Sequence, residues 1–231
     1  MQLEKYTDKK ILILGGGTST LDSKWENLDY DYVWTCNEFF MEPRVLSQSI
    51  DLYLLSYTVD LNDERLYSKL QESDTTVIIE GHHYRGKQHS NDFKSFLDKI
   101  KIPVYNLELP TPLKKESAAN FAGAAFRLIL TALNTSANTI YFAGFDGFNK
   151  EFSNIHAFTK HPGLKTTDTR RTYEGTRESY VNVFTEAYKW FMHFSNYKVL
   201  QNLGEGFDYN IGTHISKEYF PLTEEVYEKI R

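Results

Sequence analysis

Residues 11–21 read ILILGGGTSTL, an aliphatic run followed by three glycines and Thr-Ser-Thr. Glycine is costly in regular structure and useful where a backbone must bend sharply or come close to a ligand. A glycine-rich turn leaving a strand exposes backbone N–H groups at Gly15, Gly16 and Gly17, and Thr18, Ser19 and Thr20 add hydroxyls. Donors gathered in this way suit phosphate oxygens. The turn departs from two phosphate signatures, because Thr20 stands where GxGxxG needs its last glycine and no GxxxxGK[ST] lysine follows. The same residues also serve a tight strand-to-helix connection that holds nothing.

Two further strand ends carry polar groups of the right kind. TCNEFF places Asn37 at the end of an apolar run. Its amide has two donors and an acceptor, enough to read a sugar hydroxyl or a base edge, and Asn is equally a turn former. AGFDGF places Asp146 between Gly144 and Gly147, where it can bind a ribose or sugar hydroxyl or cap the next segment. Downstream, residues 147–177 lack clear periodicity and hold His156, His161, Arg170, Arg171, Tyr173 and Arg177. A histidine titrates near neutral pH and suits deprotonation of a sugar hydroxyl, and arginine pairs bidentately with phosphate. Long aperiodic loops inside compact domains are often lids. The plain alternative for each of these residues is a solvated loop.

Other patterns point away from chemistry. GHHYRGKQH puts His82, His83 and His89 in one loop, but adjacent imidazoles diverge in extended backbone and match no zinc spacing. His83 and Arg85 could instead meet an acceptor or a phosphate. DYDY holds a D-x-D, Asp29 and Asp31, of the kind that binds a divalent cation in many sugar transferases. Here it enters a strand, which is the wrong edge of a parallel sheet for a ligand.

The elements that must position these residues are legible as short aliphatic runs, each followed by a helical or loop stretch. Strands are expected at 10–15, 30–37, 50–56, 75–81, 102–109, 138–147 and 196–203, and helices at 60–73, 90–100, 115–133 and 178–195. Near-continuous apolar strands separated by helices indicate a mainly parallel sheet covered on both faces. The expected fold is α/β, a single doubly wound Rossmann-like domain over 1–231 with a lid at 147–177. A net charge of −5 gives no footprint for nucleic acid. The single cysteine, Cys36, precludes an intrachain disulfide and is expected to be buried and inert. The polar start MQLEKYTDKK shows no signal peptide, and no apolar run reaches a membrane span. A cytoplasmic location is expected, and homo-oligomerisation is left open.

The three strand ends, in order and approximate spacing, resemble the bacterial lipooligosaccharide sialyltransferases. Those enzymes carry a strand–GxGxS turn, a "CN" plus aromatic strand end, and a "GxDxY"-like strand end after a helix opened by small residues. This chain has ILILGGGTSTL, VWTCNEFF, AANFAGAAF and TIYFAGFDGF in those places. The resemblance covers roughly 11–40 and 115–200 and extends to motility-associated flagellin glycosyltransferases and an archaeal hydroxymethylpterin diphosphokinase. It implies a glycosyltransferase of surface glycan synthesis, with a sugar nucleotide donor, CMP linked to a nonulosonic (sialic-type) acid, and a glycan acceptor. It implies no required cofactor or metal. Gly15, Gly17 and Ser19 would line the donor phosphate, Asn37 would contact the donor, and Gly123 would let the helix opening approach the nucleotide.

The departures from the family pattern are specific. Gly16 stands where the family has Asn, Ala122 where it has Ser, Phe148 where it has Tyr, and Arg177 where it has its catalytic His. A phenyl ring donates no hydrogen bond, and an arginine stays protonated. The resemblance therefore leaves His156, His161, Tyr173 and Arg177 as the candidate catalytic groups. It also leaves two other readings, a Mg²⁺-dependent phospho- or diphosphotransferase and a non-catalytic nucleotide or glycan binder.

Overall fold

The computed structural model describes residues 3–16, 19–37, 39, 42–55, 61–72, 74–79, 94–96, 98–100, 104–106, 123–144, 199–204, 208–209, 213–214, 225 and 228–229. Seven strands form one sheet: β1 (Lys10–Leu14), β2 (Tyr32–Cys36), β3 (Leu52–Leu55), β4 (Thr76–Ile79), β5 (Val104–Asn106), β6 (Thr139–Ala143) and β7 (Leu200–Asn202). Their order is β5-β4-β3-β2-β1-β6-β7, and every neighbouring pair is parallel. The chain builds outward from β1 to β5, then crosses back to lay β6 on the other side of β1. That reversal is the topological switch point of the sheet, the place where open α/β folds leave a crevice beyond the strand carboxyl ends.

The strands form where they do because both of their faces find cover. In β1, Ile11, Leu12, Ile13 and Leu14 are all fully buried. Register assigns the alternate residues to two layers. One face collects Leu12, Leu14, Val33, Tyr53, Leu55 and Val77, which pack with Trp25, Phe39, Leu66, Leu70 and Phe96. Leu66 and Leu70 sit four residues apart on α3 (Glu64–Gln71), so they share one helix face. Asp63 caps that helix, its carboxylate accepting from Arg65 N–H at 2.9 Å. The longer helix α4 (Gly123–Leu133) packs against β1, β2, β3 and β6. None of its described side chains joins the first layer, and it covers the opposite face. The doubly wound α/β expectation is met. Two one-turn helices, α1 (Ser19–Asp22) and α2 (Pro43–Leu46), follow β1 and β2. A two-stranded antiparallel hairpin, β8 (Asp208–Tyr209) and β9 (Thr213–His214), was not anticipated from sequence.

The amino edge of the sheet is stitched by carboxylates. Asp31 Oδ2 accepts from the backbone N–H of Lys10 at 2.9 Å, and Asp29 pairs with the Lys10 ammonium at 2.5 Å. The ammonium holds the Asp29 carboxyl below its usual range. The D-x-D pattern thus joins the starts of two strands, at the edge remote from the crevice. Asp51 Oδ2 likewise accepts from Val33 N–H at 2.8 Å, and burial pushes its carboxyl up.

Residues 80–93, 97, 107–122 and 145–198 lie outside the described residues, and with them the GHHYRGKQH loop, the lid expected at 147–177 and the helix expected at 178–195. Among the described residues no helix is long and apolar enough to cross a membrane. Replacing Leu12, fully buried in the central strand, by Ala is expected to cost about 2–5 kcal/mol. Replacing Leu21, 41% exposed on α1, by Ala is expected to stay within about 0.5 kcal/mol. Urea unfolding of both variants measures the contrast.

Candidate functional site

The glycine turn begins at the switch point. Leu14 is the last paired residue of β1, opposite Thr35 on one side and Ala143 on the other. Gly15 continues one step further, its N–H donating to Ala143 O at 2.8 Å. Thr35 Oγ1 donates to Leu14 O at 3.0 Å. The carboxyl ends of β2, β1 and β6 are therefore held level.

Beyond that line the chain closes into a tight knot. Gly144 follows β6 with φ +76°, in the left-handed region that glycine enters without steric cost. A Cβ added there would lie 2.3 Å from both Gly15 O and Thr20 Oγ1. The absent side chain is what lets the β6 exit lie directly on the turn after β1. Two hydroxyls fasten the approach. Gly144 N–H donates to Ser19 Oγ at 3.0 Å, and Thr20 Oγ1 donates to Gly15 O at 3.0 Å. Ser19 is 3% exposed and Thr20 fully buried. The sequence reading offered the Thr20 hydroxyl to a phosphate, but its burial and its bond to Gly15 O correct this. The hydroxyl shapes the turn instead. Ser19 also contributes to the turn from within.

Asn37 is the first residue after β2 and has φ +51°. Asn is several-fold enriched in that region because its short polar side chain tolerates it. The backbone alone thus accounts for the residue type. It also places the half-buried Asn37 at the same carboxyl edge, next to β1 in the sheet. Gly123 opens α4. Because α4 returns the chain to the start of β6, its first residue belongs to the carboxyl edge too.

The fold therefore brings Gly15, Gly16, Ser19, Asn37 and Gly123 to one edge of the sheet, around the switch point. Gly17, Thr18, Asp146, His156, His161, Arg170, Arg171, Tyr173 and Arg177 lie outside the described residues. Sequence reasoning treated Gly144 only as a neighbour of Asp146. Its signal was present in the glycine after a strand end, but which strand would lie beside β1 was not.

No family model matches the chain, and no curated protein matches it in sequence. Solved structures do match in shape. One is the sialyltransferase CstII from Campylobacter jejuni in complex with a substrate analogue, cytidine-5'-monophosphate, with TM-score 0.54 and 16% identity over 96% of this chain and 97% of that one. Another is the same enzyme with CMP-3FNeuAc, with TM-score 0.55 and 15% identity over 96% of this chain and 98% of that one. The fold is sialyltransferase-like. At this identity the likeness is one of architecture, and it runs nearly end to end in both chains.

Gly144→Ala is expected to destabilise the chain by about 1–3 kcal/mol, from the unfavourable φ and the displaced Gly15 carbonyl. Ser19→Ala strands the buried Gly144 N–H and is expected to cost about 1–3 kcal/mol. Urea unfolding measures both.

Proposed function

We propose that this chain is a glycosyltransferase whose donor is a CMP-linked nonulosonic acid and whose acceptor is a glycan hydroxyl in surface glycan synthesis. The observation that carries the reading is the glycine turn, fastened to Gly144 at the switch point of a sialyltransferase-like fold. Open α/β sheets bind ligands there. The matching structures were solved with cytidine-5'-monophosphate and with CMP-3FNeuAc.

In this reading the donor phosphate lies over the turn of Gly15, Gly16, Gly17, Thr18 and Ser19; the Gly15 N–H is held by Ala143 O, so the N–H donors come from the residues after it. Asn37 and Asp146 address donor hydroxyls, and Gly123 lets α4 open against the nucleotide. The acceptor oxygen attacks the anomeric carbon as the bond to the phosphate breaks, with inversion, and CMP leaves. His161 or His156 accepts the acceptor's proton. Arg170, Arg171 and Tyr173 donate hydrogen bonds to the departing phosphate. Arg177, always protonated, adds charge and does not serve as a base. Stabilising the phosphate charge is the larger contribution and the base the smaller. Residues 147–177 act as the lid, metal is not required, and the whole chain forms one domain working in the cytoplasm.

Phe148 and Arg177, at the places of the family's Tyr and His, favour a second reading: a binder that kept the pocket and lost turnover.

Thermal unfolding against a nucleotide panel tests the reading. At 100 times its dissociation constant a ligand stabilises the fold by about 2.7 kcal/mol. The expected result is a shift with CMP and CMP-sialic acid that persists in EDTA, with His161→Ala slowing release of CMP from the donor while leaving CMP binding intact. A shift only with ATP and Mg²⁺ would replace this reading with phosphoryl transfer. Binding without release of CMP from any donor would favour the binder, and no shift with any nucleotide would end the proposal.

A further inference from the structure

Strand register fixes where the turns after β1 and β2 begin, but not how they sit relative to each other once they leave the sheet. One side chain spans the gap. Arg44 belongs to α2, in the segment that follows Asn37, and its guanidinium reaches the segment that follows the glycine turn. Nη1 donates to Thr20 O at 3.0 Å and Leu21 O at 2.9 Å, and Nη2 donates to Ser23 O at 2.8 Å. Nε and Nη2 also donate to the two carboxylate oxygens of Glu26. These five bonds use all five N–H donors of an arginine.

The guanidinium also lies over an aromatic ring. Its Cζ sits 4.8 Å from the centroid of Trp25, and the fully buried Trp25 donates its own indole N–H to Thr20 O at 3.0 Å. At the other end, Arg44 N–H donates to Glu42 Oε1 at 3.3 Å, and Glu42 is itself 95% buried (5% exposed), its N–H donating to Phe39 O at 3.0 Å. Connected contacts therefore run from the β2 exit through Glu42 and Arg44 to the carbonyls of α1. They end at Thr20, whose hydroxyl holds Gly15. A lysine, with three donors at one point, could not serve three carbonyls and a carboxylate across one plane.

We propose that Arg44 is a positioning residue that locks the turn after β2 to the turn after β1, so that a nucleotide meets both as one preformed surface. The inference rests on reading this edge as the nucleotide site. Preformed geometry spares the ligand the cost of ordering two loops, and the loss of Arg44 should be felt in affinity before it is felt in fold.

The test uses Arg44→Lys and Arg44→Gln in the full chain, with amide hydrogen exchange and CMP titration. Arg65→Gln, which breaks an exposed ion pair with Asp63 on α3, is the control. Exchange at residues 19–23 and 42–45 is expected to rise together by about tenfold in both Arg44 variants, with β3 and β4 unchanged. CMP affinity is expected to fall about tenfold, with Arg44→Lys failing to restore it and Arg65→Gln matching wild type. A rise in one segment alone, an equal rise throughout the sheet, or unchanged CMP affinity in folded variants would overturn the proposal. If the wild-type chain binds no CMP, the nucleotide reading fails. The joint or separate exchange of the two segments still decides the coupling.

Discussion

Gly144 has to be a glycine, and much of the carboxyl edge follows from that. Its φ of +76° and the absence of a side chain allow the exit of β6 to rest on the carbonyl of Gly15 and the hydroxyl of Thr20. The crossing occurs where the strand order reverses, between β1 and β6. Any side chain there would push the two strand exits apart at the switch point of the sheet. The hydrogen bonds of Ser19 and Thr20 hold a contact that the missing Cβ makes possible.

The two edges of the sheet divide the work. At the amino edge, Asp29, Asp31 and Asp51 satisfy the strand starts with charge-assisted bonds, a structural use of carboxylates. At the carboxyl edge the described turns present backbone and small side chains, Gly15, Gly16 and Asn37, backed by buried hydroxyls. Arg44 spends its donors on the carbonyls of Thr20, Leu21 and Ser23 and on Glu26. An edge whose turns are fastened by buried hydroxyls and by a fully bonded cation is one that a ligand can meet without rearrangement.

Much of this was legible in the sequence. The seven strands of the main sheet all fall within the stretches expected from sequence, most plainly the central β1, whose Ile-Leu-Ile-Leu run is buried on both faces. The glycine turn and Asn37 stood out because a strand end followed by glycines or a turn-forming Asn is locally unusual. Three things were not legible. The short helices α1 and α2 are single turns with too few residues to show a period. The roles of Gly144, Thr20 and Arg44 depend on which strands become neighbours, and strand order is a property of the whole chain. The Thr20 hydroxyl, read as a phosphate donor, is turned inward by a partner five residues earlier in sequence, Gly15 O, a contact that exists only once the turn has closed.

The central claim is that the switch-point turn is the nucleotide site, and amide chemical-shift mapping with CMP tests it most directly. The account predicts the largest perturbations at Gly15, Gly16, Asn37, Gly123 and Gly144, with the amino-edge amides of Lys10 and Val33 unmoved. Perturbations centred away from those five residues, or none at saturating CMP, would contradict it.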